Sequence, residues 1–169
     1  MTFSRSSLEL AHAVIEAARH KRLTLTTAES CTGGLIAACL TEVAGASLVF
    51  MRGFVTYANE AKTDLLGVPE DMIAEMGAVS EEVARAMAQG AMERAGADIA
   101  VSATGIAGPG GGTPGKPVGL VHMAAARRGG ATIHQESRFA GDRRAVRDQA
   151  LDAALALLLR QAETAPARD

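Results

Sequence analysis

The feature that most constrains this chain is its repeated change of hydrophobic period, sharpest between residues 23 and 47. "LTLTTA" (23–28) is short and β-branched and predicts a strand. "TGGLIAACLTEVAGAS" (32–47) predicts a helix that closes at Gly45. The alternation holds elsewhere. "SSLELAHAVIEAARHKR" repeats Leu8, Ala11, Val14, Ile15 and Ala18 at helical spacing, with Ser6 or Ser7 as its cap. "SLVFMRGFVTYA" predicts a strand with a bulge at Gly53, and "NEAKTDLLGVP" a short helix capped by Asn59. "EDMIAEMGA" predicts a short turn. "SEEVARAMAQGAMERAGA" predicts a helix capped by Ser80, and "DIAVSATG" a buried strand. A Gly- and Pro-rich loop follows, then a hairpin turning at "RGG", then a helix capped by Asp142 and a frayed tail, "ETAPARD". Alternating elements closed by a hairpin point to the α/β class: a single compact domain, residues 1–169, with a mixed β-sheet covered by helices.

Composition excludes several function classes. Net charge is −2, with no Trp, one Tyr and four Phe, which argues against a nucleic-acid surface. No apolar run approaches the ~20 residues of a membrane span, and the opening "MTFSRSSLEL" lacks an apolar signal core. Cys31 and Cys39 make no disulfide framework; on one helix they lie about 12 Å apart. A reduced, cytoplasmic protein is expected. His12, His20, His122 and His134 lack metal-ligand spacing, so no metal site is expected.

Four segments carry candidate chemistry. In "TAESCTGG", Ser30 sits at the mouth of a strand-to-helix turn whose free N–H groups, around Gly33 and Gly34, suit a phosphate or an oxyanion. The plainer alternative is that Ser30 or Thr32 merely caps the helix. Cys31 is a rival nucleophile if the helix end lowers its pKa, and otherwise a small core residue. In "TYANEAK", Lys62 falls at the third helical position, where the dipole and partial burial favour a neutral amine able to take a proton from serine. A solvated lysine is the alternative there, and Tyr57 is either a relay or an edge-of-core aromatic. "SATGIAGPGGGTPGKP" is no Walker loop, because Lys116 precedes Pro117 and a strand follows; it suits a substrate-facing rim with the Thr104 hydroxyl and the Gly105 N–H. In "FAGDRRAVRDQ", Arg143, Arg144 and Arg147 crowd a helix start, a placement that a bound anion offsets; the alternative is a solvated basic face beside Asp142 and Asp148.

Together "TAESCTGG", "YANEAKTDLLGV", "SATGIAGPGGGTPGKPVG" and "FAGDRRAVR" resemble the CinA C-terminal-domain family (competence/damage-inducible protein A). Its stand-alone members include nicotinamide mononucleotide deamidases. The resemblance implies a cytoplasmic, homo-oligomeric α/β amidohydrolase, without metal or cofactor, acting on a small pyridine nucleotide. It implies Ser30 as nucleophile, Lys62 as its partner, Tyr57 nearby, Thr104 at the loop start and Arg143 after Gly-Asp. The mechanism this suggests gives the oxyanion to the N–H groups around Gly33 and Gly34 with Thr104, substrate contacts to Thr32 and Gly105, and the phosphate to Arg143, with Arg147 second. Gly115, His122 and Met123 depart from the family's commonest pattern. Two alternatives remain at this stage: hydrolysis of another small phosphorylated amide, and a nucleotide-binding regulatory module that breaks no bond.

Overall fold

Period-2 patterning divides the central strands between two cores. The structure, a computed structural model, describes residues 3–168; residues 1–2 and 169 of the expected 1–169 domain lie outside the described residues. In chain order the elements are α1 (Arg5–His20), β1 (Leu25–Glu29), α2 (Leu35–Thr41), β2 (Phe50–Val55), α3 (Asn59–Leu66), α4 (Glu70–Met76), α5 (Glu81–Ala95), β3 (Ile99–Gly105), β4 (Leu120–Arg127), β5 (Ile133–Arg138) and α6 (Arg143–Thr164). The strands form one five-stranded mixed sheet in the order β2-β1-β3-β4-β5. β1 pairs in parallel with β2 and β3, and the β3-β4 and β4-β5 pairs are antiparallel.

Along β3, Ile99, Val101 and Ala103 enter the larger core, shared with Ile15 of α1, Ile36 of α2 and Leu155 of α6. Ala100 faces the other side with Ala28 of β1, against Val83 and Met87 of α5. Ala124 and Ala126 of β4 meet Ala84 and Ala88 of α5 on that same side. The sheet is thus a single α/β layer between two sets of helices. Small residues on the second face let α5 approach closely, and Gly90 carries this further. A Cβ there would lie 2.0 Å from the Leu66 carbonyl oxygen, so any side chain would drive α5 away from α3, the helix that carries Lys62.

Several boundaries differ from the sequence expectation for identifiable reasons. The cap of α1 is Ser4, not Ser6 or Ser7, because its Oγ accepts the Ser7 N–H at 3.0 Å. α2 starts only at Leu35, since Gly33 and Gly34 take φ of 59° and 95°, outside helical space. It ends at Thr41, and a short 3₁₀ turn, Ala46–Leu48, follows Gly45. The N-cap of α3 is Ala58, not Asn59, which puts Lys62 at the fourth helical position rather than the third. "EDMIAEM" is a helix, α4, instead of a turn. The register irregularity in β2 falls at Met51, between Leu25↔Phe50 and Thr26↔Arg52, while Gly53 pairs regularly with Thr27. The tail is tied down: Arg168 N–H donates to the Lys21 carbonyl at 2.9 Å, and its guanidinium lies 3.0 Å from Asp98. No helix among the described residues is long and apolar enough to cross a membrane.

The chain leaves β1 through α2 to reach β2 on one side, and returns through α5 to β3 on the other. The carboxyl ends of β1 and β3 therefore flank a topological switch point, where open α/β sheets place ligands. Ser30 follows the last residue of β1, and Thr104 and Gly105 close β3.

Candidate functional site

The turn after β1 is organised by a residue that the sequence patterns did not single out. Glu29 is fully buried. Its carboxylate accepts the N–H groups of Gly34 at 3.0 Å, Ile36 at 3.0 Å and Ala37 at 2.8 Å. These are the orphan donors of the α2 N-terminus, so the chain fills its own anion cradle. The Gly33 N–H donates to the Ser30 carbonyl at 3.0 Å. Gly33 and Gly34 thus have no N–H left for an oxyanion. Neither Ser30 nor Thr32 caps α2, whose N-cap is Gly34.

Lys62 meets Ser30 at this turn. Its Nζ lies 3.2 Å from Ser30 Oγ, and the lysine is only 1% exposed. Nζ donates to the Thr56 carbonyl at 2.8 Å, with the Tyr57 and Ala58 carbonyls at 3.4 Å. Burial lowers its pKa from the ordinary lysine value, against weaker upward pulls from Cys31 and Glu60. The solvated-lysine alternative is excluded by this burial. Cys31 is buried as well, and desolvation pushes its thiol up to about 11, the reverse of activation by a helix end. Cys39 lies on α2 and is likewise raised to about 11 by burial; both cysteines are free. Cys31 precedes α2, so the two do not share a helix.

A cavity of about 230 Å³ opens beside this pair, walled by Ser30, Cys31, Tyr57, Asn59, Lys62, Ala78, Val79, Thr104, Gly105, Ala107 and Arg143. The Thr104 hydroxyl donates to the Ala78 carbonyl at 2.7 Å, which commits its only proton to that segment rather than to an oxyanion. Ile106 N–H donates to Leu120 O at 2.8 Å, so ladder alternation turns the Gly105 N–H the other way, beyond the final β1–β3 pair, Glu29↔Ala103. Tyr57 is 60% exposed at the rim. Its hydroxyl accepts from Arg143 at 3.0 Å, and only its main-chain carbonyl faces Lys62, so the phenol is no proton relay in this arrangement. Arg143 also donates to the Gly108 carbonyl at 3.1 Å. Arg147 spends its guanidinium on the Cys31 carbonyl at 3.2 Å and the Thr32 carbonyl at 2.8 Å, bracing the turn from behind. Thr32, Gly33, Gly34 and Arg147 are not part of the cavity wall.

Residues 7–162, nearly the whole described chain, match the family model for the CinA C-terminal domain. The chain belongs to the CinA C-terminal domain family. A CinA-like protein of Geobacter sulfurreducens is 56% identical over 153 residues, which are 90% of this chain but 37% of that protein. The chain therefore spans little more than a third of the length of such relatives. The nicotinamide-nucleotide amidohydrolase PncC of Escherichia coli K12 is comparable in length: 51% identity covers 91% of this chain and 93% of PncC. The crystal structure of the competence/damage inducible protein CihA from Agrobacterium tumefaciens superposes with a TM-score of 0.93 at 48% identity, covering 95% of this chain and 98% of that one.

Two residues at this CinA-type site escaped the sequence patterns. Glu29 lies just past the expected strand, 23–28, and no role falls to it there; the signal was its place between that strand and a Gly-Gly turn, where a long carboxylate can reach forward to the helix that follows. Asn59, expected as a cap, is instead the first residue of α3 and lines the cavity. A larger cavity of about 380 Å³ lies at the opposite end of β3, away from Ser30 and Lys62, and its arginines reach main-chain carbonyls and Asp98. Arg128 donates to the Ala97 carbonyl at 2.9 Å, Arg127 to the Thr164 carbonyl at 2.6 Å, and Arg168 pairs with Asp98.

Behind the Thr104 wall, β4 and β5 carry a histidine pair. His122 is the register partner of Thr104, and its Nδ1 lies 3.0 Å from His134 Nε2. His134 Nδ1 lies 3.4 Å from Glu81. Burial lowers both histidine pKa values; His134 adds to the lowering at His122, while Glu81 and Glu136 oppose it at both and Lys116 and Arg85 reinforce it at His122 and His134 respectively. Glu81 is itself held low, chiefly by its bond from Arg85, so its contact with His134 is an N–H to a carboxylate rather than an ion pair at neutral pH. The sign follows. Unfolded histidine takes its proton near ~6.5, and the folded pair only at lower pH. Stability is full above that value and falls on acidification, by up to ~1.4 kcal/mol per pH unit per histidine, until the folded pKa values are passed. Thermal melts from about pH 7.5 to about pH 5 are expected to show this decline, and His122→Gln with His134→Gln to flatten it.

Proposed function

We propose that the chain hydrolyses the carboxamide of nicotinamide mononucleotide to nicotinate mononucleotide and ammonia, with Ser30 as nucleophile and Lys62 as its base. The observation that carries this is a buried lysine 3.2 Å from a serine hydroxyl in a cavity at the switch point. The likeness to PncC, a nicotinamide-nucleotide amidohydrolase, over nearly its full length supports this choice of substrate.

In this mechanism the uncharged Lys62 amine accepts the Ser30 proton as Oγ attacks the amide carbon. The Gly105 N–H, turned past the end of β1, is the donor assigned to the oxyanion. Lys62 then returns its proton to the departing ammonia and leaves a nicotinoyl ester on Ser30. Water attacks that ester, Lys62 takes its proton and gives it back to Ser30 Oγ, and the carboxylate product leaves. Nucleotide sites normally exceed ~300 Å³, whereas this cavity is about 230 Å³. It takes the pyridine carboxamide, and the ribose phosphate extends over the rim to Arg143, which Tyr57 and the Gly108 carbonyl hold in place. Only two of that guanidinium's five N–H groups are engaged in those two bonds.

Incubation with nicotinamide mononucleotide and direct measurement of ammonia tests the proposal. Release from another phosphorylated amide only would replace the substrate, and tight binding without release would replace the chemistry. Arg143→Ala is expected to raise KM about ten- to a hundredfold, the weight of a charge-assisted hydrogen bond, with kcat changed far less. An equal fall in kcat at unchanged KM would remove Arg143 from the phosphate.

A further inference from the structure

The Ser30–Lys62 spacing has to be held by something, and the bonds around Glu29 converge on both residues. Its side chain reaches over the next four residues to accept the Gly34 N–H, so the turn carrying Ser30 is clamped at both ends by one residue. The same carboxylate takes the Ile36 and Ala37 N–H groups and fixes the start of α2 to the end of β1. Its main-chain carbonyl accepts the Thr56 N–H at 2.8 Å, and the Thr56 carbonyl in turn accepts Lys62 Nζ at 2.8 Å. Three backbone donors converge on the carboxylate, with the Thr27 hydroxyl at 3.4 Å.

We propose that Glu29 is a positioning residue: its carboxylate locks the Ser30 turn onto the α2 N-terminus and so holds Ser30 Oγ against Lys62 Nζ. This rests on the Ser30–Lys62 chemistry proposed above. Glu29 is fully buried and absent from the cavity wall, so it touches no substrate. Loss of the clamp loosens the attacking group, while Tyr57, Asn59, Gly105 and Arg143 of the cavity wall belong to other elements. An amide does not substitute, because its NH₂ end donates and at least one α2 N–H then meets a donor. Aspartate keeps the charge but is one methylene short of the three donors.

The experiment is steady-state kinetics of Glu29→Gln and Glu29→Asp, with the rate at which a fluorophosphonate labels Ser30 measured in parallel. A misplaced nucleophile costs up to ~10²-fold. Both variants are expected to lose about ten- to a hundredfold in kcat and in labelling rate, with KM within about twofold of wild type. If Glu29→Gln does not fold, Glu29→Asp decides on the same measurements. Wild-type kcat and labelling in a folded variant, or a loss carried by KM alone, overturns the role. The two failures are separable: a wild-type protein inert toward nicotinamide mononucleotide sinks the substrate assignment, while labelling of Ser30, with Ser30→Ala as blank, still reports whether Glu29 positions it.

Discussion

Ser30→Ala is expected to lower ammonia release from nicotinamide mononucleotide by on the order of 10⁶-fold, the scale of a lost serine nucleophile, with nucleotide binding within a few-fold of wild type. No neighbour can take over. The Cys31 thiol is buried and raised to about 11, so almost none is thiolate at neutral pH. The Thr32 hydroxyl is buried off the cavity wall, and the Thr104 hydroxyl donates to Ala78. The fold should tolerate the change, because Lys62 keeps the Thr56 carbonyl at 2.8 Å and the turn keeps Glu29 and Arg147. Calorimetric titration of the variant with nucleotide, beside an ammonia assay, separates the two effects. Turnover near the wild-type rate would remove Ser30 from the mechanism, and loss of binding would make it a substrate contact.

Much of the sheet was legible in the chain because its strands announce themselves by residue type. "DIAVSATG" is made of small and apolar residues that suit burial on both faces and became the central β3, and the hairpin turned at its two glycines. Element ends were less legible. Caps depend on which hydroxyl reaches which N–H, and that moved the start of α1 to Ser4 and freed Asn59. At the site, residue types and order raised Ser30, Lys62 and Thr104 as candidates and the family resemblance singled out Arg143, and the fold brings all four to one cavity. Ownership of each hydrogen bond was not legible. Arg143 and Arg147 stand one helical turn apart and look equivalent, yet one reaches the rim and the other braces carbonyls behind the turn. The glycine turn looked like an open anion site because nothing in a pattern of glycines says that a carboxylate five residues earlier already fills it.

Lys62 gives the second large effect. Lys62→Met should lower kcat/KM by ~10³-fold or more, combining loss of a general base worth ~10²–10⁴ with loss of the proton return to ammonia. Lys62→Arg is the sharper test, since it preserves charge and length but not acidity. A guanidinium stays protonated across the working range and cannot accept the serine proton, so it should be no more active than methionine. Cation placement alone predicts the opposite, a partly active arginine variant. The pH profile separates the same two roles in the wild type. Burial lowers the Lys62 pKa, so the amine becomes neutral below the ordinary lysine range. Activity should therefore rise with pH along a limb set by that lowered value and fall as acid restores the ammonium. The three main-chain carbonyls of residues 56–58 lie 2.8–3.4 Å from Nζ and oppose that lowering, because an ammonium has three N–H groups to give them and a neutral amine two. The site thus holds its lysine by contacts that favour the charged form inside a cavity that disfavours it. An acid limb at the unshifted lysine value would overturn the lowered pKa, and a limb left in place in a Lys62→Met variant that still turns over would assign the base to another group.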